Sequence, residues 1–77
     1  MDQFLGSILL VAFNFAPPGF MTCDGQQLDI ATNTALFSLL GTAYGGDGVK
    51  TFALPKIKAP DGLHYIIATQ GIYPSHQ

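Results

Sequence analysis

The sequence has very little charge: three lysines, no arginine, five aspartates and no glutamate among 77 residues. Charged residues make up 10% of the chain, whereas about 25% is usual in soluble domains. A formal net charge of −2 gives none of the basic surface that binding to nucleic acid requires. Lys50, Lys56 and Lys58 are expected to be solvated positions in a loop and at a strand end. So little charge would cover a monomer poorly, which favours burial of apolar surface against other subunits.

Cysteine is also scarce, since Cys23 is the only one. A single cysteine excludes an internal disulfide, and no cluster of residues has metal-ligand spacing. A chain of this length forms one small domain with little margin of stability, so oligomerisation is the remaining way to stabilise it. Cys23 is expected to be a small buried hydrophobe, because no histidine or basic residue near it in sequence would lower its pKa. An intersubunit disulfide is the alternative.

No catalytic pattern is present. A nucleophile with a base and a pair of carboxylates are both missing, and no Asp or Cys is spaced to join His64 or His76. The glycine-rich segment 44–51 invites comparison with a phosphate-binding loop. However, Val49 rather than glycine precedes Lys50, and the segment leads from a predicted helix to a strand. The sequence therefore predicts no enzyme, no cofactor and no metal site.

The longest apolar stretch, residues 4–16, is shorter than the roughly 20 residues of a membrane span. Asp2 is the only charge before it, and no cleavage site of small residues follows, so a signal peptide is not indicated. We expect a buried strand here instead.

Turn signals divide the chain into short elements. We expect strands at 6–13, 20–23, 27–28, 51–54 and 63–69, and one helix capped by Thr32 or Asn33 that ends near Leu40. One side of that helix would carry Ala35, Leu36, Leu39 and Leu40, with Phe37 beyond this arc. Glycines are expected to occupy turn and cap positions that need positive φ. These are Gly19, Gly25, Gly41, Gly45, Gly46 and Gly48.

The first and last strands are apolar on both faces. In the first strand, Ile8, Leu10 and Ala12 form one row, and Leu9, Val11 and Phe13 form the other. A sheet with one covered face would leave one row in water, so we expect another subunit to cover it. The predicted assembly interface comprises Leu9, Val11, Phe13, Tyr65, Ile67, Ile72 and Tyr73.

Five blocks within residues 13–55 occur in the order found in one known family. They are a Pro-Gly turn after Phe13, Cys23-Asp24-Gly25-Gln26, Asn33-Thr34-Ala35-Leu36-Phe37, Tyr44-Gly45-Gly46-Asp47-Gly48 and Thr51-Phe52-Ala53-Leu54-Pro55. This ordered set resembles the phage tail collar domain. The resemblance implies a single α+β domain over residues 1–77, with short, mainly antiparallel strands and one short helix, completed by oligomerisation. After Pro55 the chain departs from the family, because Lys56-Ile57-Lys58-Ala59 replaces its usual continuation and the long variable insertion is missing.

The resemblance also implies a function. We expect a structural subunit that assembles with itself into an extracellular fibre or a phage-tail-like appendage, located outside the cell or in the virion tail. The alternative is a module at a fibre tip that binds a glycan or protein of the cell surface. Recognition surfaces usually lie on variable loops, and this chain lacks the longest one, which favours the subunit. The sequence does not choose between a trimer, a ring and a filament.

Overall fold

A computed structural model of the chain describes residues 3–75. Its elements are strands β1 (Ile8–Val11), β2 (Phe20–Thr22) and β3 (Gln27–Asp29), helix α1 (Thr34–Leu40), and strands β4 (Thr51–Ala53) and β5 (His64–Ala68). The strands form two small sheets, and all pairings within those sheets are antiparallel. The expected α+β fold is confirmed. His76 lies outside the described residues.

The larger sheet has the order β1-β5-β2, with the last strand in the centre. Leu9 of β1 and Thr22 of β2 both pair with Ile66 of β5. Ile66 and Ile67 are 1% and 0% exposed although they point to opposite faces, so both faces of β5 are covered. Residues of the same chain therefore cover the apolar side chains on both faces of β5.

The core lies between one face of this sheet, helix α1 and the two-stranded sheet β3-β4. Its buried members are Leu5, Cys23, Leu36, Phe52, Leu54 and Ile67. Phe37 packs on this cluster with its ring centroid 5.4 Å from that of Phe52. Ala35 is exposed, so the prediction that it belongs to the buried side of the helix is wrong. The buried arc turns toward Phe37 because the large ring of Phe52 provides a partner there.

The two ends of the helix differ from each other in their capping. No side chain caps the N-terminus, since the Asn33 amide donates instead to the Asp29 carbonyl at 3.0 Å. Asn33 is thus the N-cap residue, as expected, but the side-chain capping bond that usually accompanies it is not formed. At the other end Gly41 has a φ of 57°, and its N–H donates to the Phe37 carbonyl at 2.7 Å. Helix α1 is too short to cross a membrane, and no other helix in residues 3–75 could do so.

The two ends of the described chain pair with each other. Leu5 N–H donates to the Ile72 carbonyl at 2.8 Å, and Ile72 N–H donates to the Gln3 carbonyl at 2.9 Å. This forms a parallel bridge between Phe4 and Ile72. A Cβ at Gly71 would overlap the Gln3 carbonyl oxygen, so glycine permits the close approach of the two segments.

Candidate assembly surface

Strand β1 has an open edge. The Ser7 carbonyl accepts from Ala68 N–H at 2.9 Å, which makes this pair a hydrogen-bonded one. In antiparallel strands such pairs alternate, so Leu9 and Val11 also exchange hydrogen bonds with β5. The N–H and C=O groups of Ile8 and Leu10 therefore point away from the sheet. This edge contains no charged residue and no proline, the usual protections of an exposed strand.

The opposite edge of the same sheet, on β2, is partly occupied by nearby groups. Cys23 N–H donates to the Tyr65 carbonyl, so the odd-numbered residues of β2 face β5 and the even-numbered ones face outward. Of these outward groups, Phe20 N–H donates to the Pro17 carbonyl at 3.0 Å. The Thr22 carbonyl accepts from the Gln26 side-chain amide at 2.9 Å. A further strand would have to displace both bonds.

The glycine-rich loop closes the outer edge of β4. Ala53 N–H donates to the Gly45 carbonyl at 3.1 Å, and the Thr51 carbonyl accepts from Gly48 N–H at 3.0 Å. Thr51 N–H donates to a carboxylate oxygen of Asp47, also at 3.0 Å. The outer edge of β3 is three residues long and carries the charged Asp29. The Asp29 carbonyl accepts a hydrogen bond from the Asn33 side-chain amide. Among the described strands, β1 is therefore the one with an open, uncharged edge.

Asp47 holds the glycine-rich loop in place. One of its carboxylate oxygens accepts from the N–H groups of Val49 and Lys50 at 2.8 Å and from Thr51 at 3.0 Å. Hydrogen bonds from the backbone of Thr51, Val49 and Lys50 lower the pKa of Asp47 to about 2. Asp47 is not among the residues that the sequence predicts to shape this loop. An aspartate followed by glycine at a turn could have indicated this role, since its side chain often bonds to the following amides.

The side chains of β1 are exposed on both faces of the sheet. Leu9 is 43% exposed on one face, while Ile8 and Leu10 are 39% and 45% exposed on the other. The predicted row of Leu9, Val11 and Phe13 lines a groove of about 300 Å³. Further groove residues are Gln3, Pro17, Pro18, Phe20 and Ile66. Every carboxylate and lysine of the described chain lies between Asp24 and Asp61, so none belongs to β1 or this groove.

The remaining predicted interface residues fall in different places. Ile67 is fully buried and Tyr65 is half-buried against the core, so Ile67 offers no surface to a partner. Ile72 and Tyr73 are 50% and 49% exposed. Ile72 pairs with Phe4, a residue not predicted for the interface, which is 57% exposed. We call these three side chains the terminal patch. The Tyr73 hydroxyl lies 2.6 Å from the Ser38 hydroxyl, which ties the patch to helix α1.

A polar pocket of about 350 Å³ brings together residues that the sequence spacing did not connect. Cys23, Asp24, His64 and Tyr65 all line it. Burial raises the pKa of Cys23, and the charge of Asp24 raises it further, so the thiol stays protonated. The Asp24 carboxylate accepts a hydrogen bond from the Thr22 hydroxyl at 2.7 Å. The pocket therefore lacks an activated nucleophile, and no group of three potential metal ligands occurs within residues 3–75.

A small α+β domain with one open apolar edge has the features of a structural module. Residues 6–59 match the family model of the Phage Tail Collar Domain. The chain belongs to the phage tail collar domain family. Collar domains are structural domains of phage tails, which indicates a structural role in a tail fibre and a place in the virion tail. No match was found among curated proteins.

Proposed function

We propose that this protein is a structural subunit that assembles with itself into an extracellular fibre or a phage-tail-like appendage. The observation that carries the proposal is the open edge of β1, with apolar side chains exposed on both faces. Strands of this kind readily add a strand from another chain, and monomeric proteins protect them. The family supports the structural part of the role.

Burial of the exposed β1 side chains favours association. Ile8, Leu9 and Leu10 each retain about two fifths of their side-chain exposure. Removing that surface from water contributes about 1 kcal/mol for each side chain, and the backbone hydrogen bonds of the edge add to it. The low charge of the chain keeps repulsion between copies small. An interface of this type is also insensitive to salt, because few ion pairs hold it.

The segments near the two ends of the described chain are not suited to pairing with a strand of a neighbouring subunit. Their backbone groups at Leu5 and Ile72 already bond to each other within the chain. Addition of a neighbour's strand at these positions would first have to break those bonds. The terminal patch can therefore contact a neighbour through side chains, whereas β1 provides the backbone contact.

Replacement of Val11 by lysine tests the proposal. Val11 lines the apolar groove and pairs with His64, so a charge there faces any subunit that covers β1. Val49→Lys is the matched control, because Val49 is 79% exposed on the glycine-rich loop. We expect sedimentation and negative-stain electron microscopy to show an assembly for wild type and Val49→Lys. Val11→Lys should remain small.

Two outcomes would contradict the proposal. One is a wild-type chain that sediments as a folded 8.2 kDa species with a melting temperature independent of dilution. The other is normal assembly of Val11→Lys.

A second candidate function is recognition of a cell-surface glycan or protein at a fibre tip. The polar pocket favours it, because Asp24, His64 and Tyr65 combine hydrogen-bonding groups with an aromatic ring. A folded monomer that binds cell-surface glycans, with binding lost in Tyr65→Ala, would favour this function over assembly.

A further inference from the structure

We propose that the polar pocket binds one neutral hexose unit of a glycan through hydrogen bonds to Asp24, Asn14 and His64. The inference rests on the recognition function given above as the second candidate, and it names the class of ligand. It adds that sugar binding and self-assembly belong to separate surfaces, so that one subunit can have both properties.

The pocket lies at one end of the three-stranded sheet. Asn14 follows β1, Asp24 follows β2, and His64 is the first residue of β5. The segment between β4 and β5 adds a further wall with Ile57 and Ala59. The terminal patch follows the other end of β5, so the pocket and the patch lie at opposite ends of the sheet.

Neighbouring groups hold Asp24 in position. Its carboxylate oxygen Oδ2 accepts from the Thr22 hydroxyl at 2.7 Å, and its N–H donates to the side-chain carbonyl of Gln26 at 3.1 Å. The Gln26 side-chain amide also donates to the Thr22 carbonyl. The other carboxylate oxygen, Oδ1, has no hydrogen-bond partner within residues 3–75. A positioned acceptor is therefore available to a ligand in the pocket.

The charges around the pocket favour a neutral ligand. Asp24 is the one carboxylate among the described residues that line it, and no lysine lines it. Asp24 would repel an anion, whereas Lys56 and Lys58, on either side of the wall residue Ile57, would repel a cation. A sugar hydroxyl suits this surrounding, because it can donate to the Asp24 carboxylate and accept from the Asn14 amide.

The size of the pocket favours a single sugar ring over a protein partner. Its volume of about 350 Å³ is at the lower end of the range for small-molecule sites, about 300–1,000 Å³. A stable protein contact covers about 800 Å² on each partner, which a cavity of this size does not provide. Leu63 and Tyr65 add apolar and aromatic surface against which the C–H groups of a sugar ring can pack.

The polar pocket is separate from the apolar groove beside β1. The two share no lining residue, so a subunit that covers β1 leaves the pocket lining uncontacted by that groove. Each copy in an assembly then displays its own pocket. Many weak sites on one assembly bind a surface with repeated glycans about 10²- to 10⁴-fold more tightly than a single site does.

Saturation-transfer NMR with sugar probes tests the proposal, because it detects the sugar signals and tolerates an assembled protein. The probes are the methyl glycosides of glucose, galactose and mannose. We expect at least one of them to bind wild type with a dissociation constant on the order of 1 mM, as usual for so small a ligand. Asp24→Asn should weaken this binding at least about tenfold, since a hydrogen bond to a charged group is lost.

A control and a second variant accompany Asp24→Asn. Asp61→Asn is the matched control, because Asp61 is an exposed carboxylate that does not line the pocket. It should bind the sugar as wild type does. His64→Ala should also weaken binding, and His64 is exposed, so the fold should be retained. Circular dichroism of each variant checks the fold.

A polymer of the hexose that binds tests whether the two surfaces are separate. The single glycoside should bind wild type and Val11→Lys equally, because Val11 lies in the apolar groove and not in the pocket. The polymer should bind assembled wild type at least about a hundredfold more tightly than Val11→Lys.

The outcomes separate this inference from the proposed self-assembly. If none of the three glycosides binds, or if Asp24→Asn and His64→Ala both leave binding unchanged, the sugar site is overturned and self-assembly is unaffected. Tighter binding of glucuronate or glucosamine than of the neutral glycosides overturns the assignment of a neutral ligand. A wild-type chain that stays monomeric and binds a glycoside through Asp24 overturns self-assembly and supports the sugar site.

Discussion

Replacing Gly46 by alanine tests whether the glycine-rich loop closes the β4 edge. Gly46 has a φ of 95°, which residues with a Cβ rarely adopt. The added Cβ would overlap the Cα of Phe52 and lie 2.6 Å from the Thr51 carbonyl oxygen. Both obstacles are backbone atoms, so no side-chain rotation relieves the overlap. The loop must move away from β4.

The expected cost has two parts. Positive φ costs about 1–2 kcal/mol for a residue with a Cβ. Movement of the loop also weakens the Ala53–Gly45 and Gly48–Thr51 hydrogen bonds, which are worth about 1 kcal/mol each. The total is about 3–4 kcal/mol. A chain of 77 residues has a stability of about 4–12 kcal/mol, so Gly46→Ala should remove a large part of it.

Gly62→Ala is the matched control. Gly62 has a φ of 81°, but no atom lies within 4 Å of the position of its added Cβ. We expect this variant to lose only the conformational cost, about 1–2 kcal/mol. Urea unfolding at equal protomer concentration would measure both variants. Free energies of unfolding within about 0.5 kcal/mol of each other would refute the close approach of the loop to β4, whereas an unfolded Gly46→Ala beside a folded Gly62→Ala would support it.

Substitutions at Asp47 and Gly41 give two further predictions about stability. Hydrogen bonds lower the pKa of Asp47 from its ordinary 3.8 to about 2, so its charge stabilises the fold above pH 4 and this contribution is lost as the pH falls through about 2. The melting temperature of wild type should therefore fall more than that of Asp47→Asn over this range, and parallel curves would contradict the role of Asp47. Gly41→Val should cost more than about 1 kcal/mol in urea unfolding, because valine is strained at positive φ. The added Cβ itself meets no atom within 4 Å, so an unchanged stability would show that the helix end relaxes freely.

The element order could be predicted from the sequence because local signals determine it. Runs of β-branched and aromatic residues identified strands, and Pro17, Gly25 and Gly41 marked where elements end. The predicted strands 6–13 and 63–69 were longer than β1 and β5. A turn at Gly6, whose φ is 83°, precedes β1. A turn closed by the hydrogen bond from Leu63 N–H to the Pro60 carbonyl precedes β5.

Contacts between distant parts of the chain could not be predicted in the same way. The first and last strands share one pattern, with apolar residues on both faces, which from the sequence predicts contact with other subunits for both. The structure separates them. β5 is the central strand and its Ile67 is buried by its own chain, whereas β1 is at the edge with Leu9 and Leu10 exposed. Such a pattern therefore indicates either a central strand or an interface, and only strand order distinguishes the two.

The contrast between the closed edges and the open one carries the argument for assembly. Three separate local features, the Pro17 turn, the Gln26 side chain and the loop held by Asp47, satisfy outward backbone groups of β2 and β4. A strand added at either edge would therefore have to break existing hydrogen bonds. On β1, residues 3–75 supply no hydrogen-bond partner for the outward groups of Ile8 and Leu10, and the strand has no charged or proline residue. In a protein that stays monomeric such an edge promotes aggregation, so in a structural phage tail domain it is the place where a specific partner has most to gain by binding.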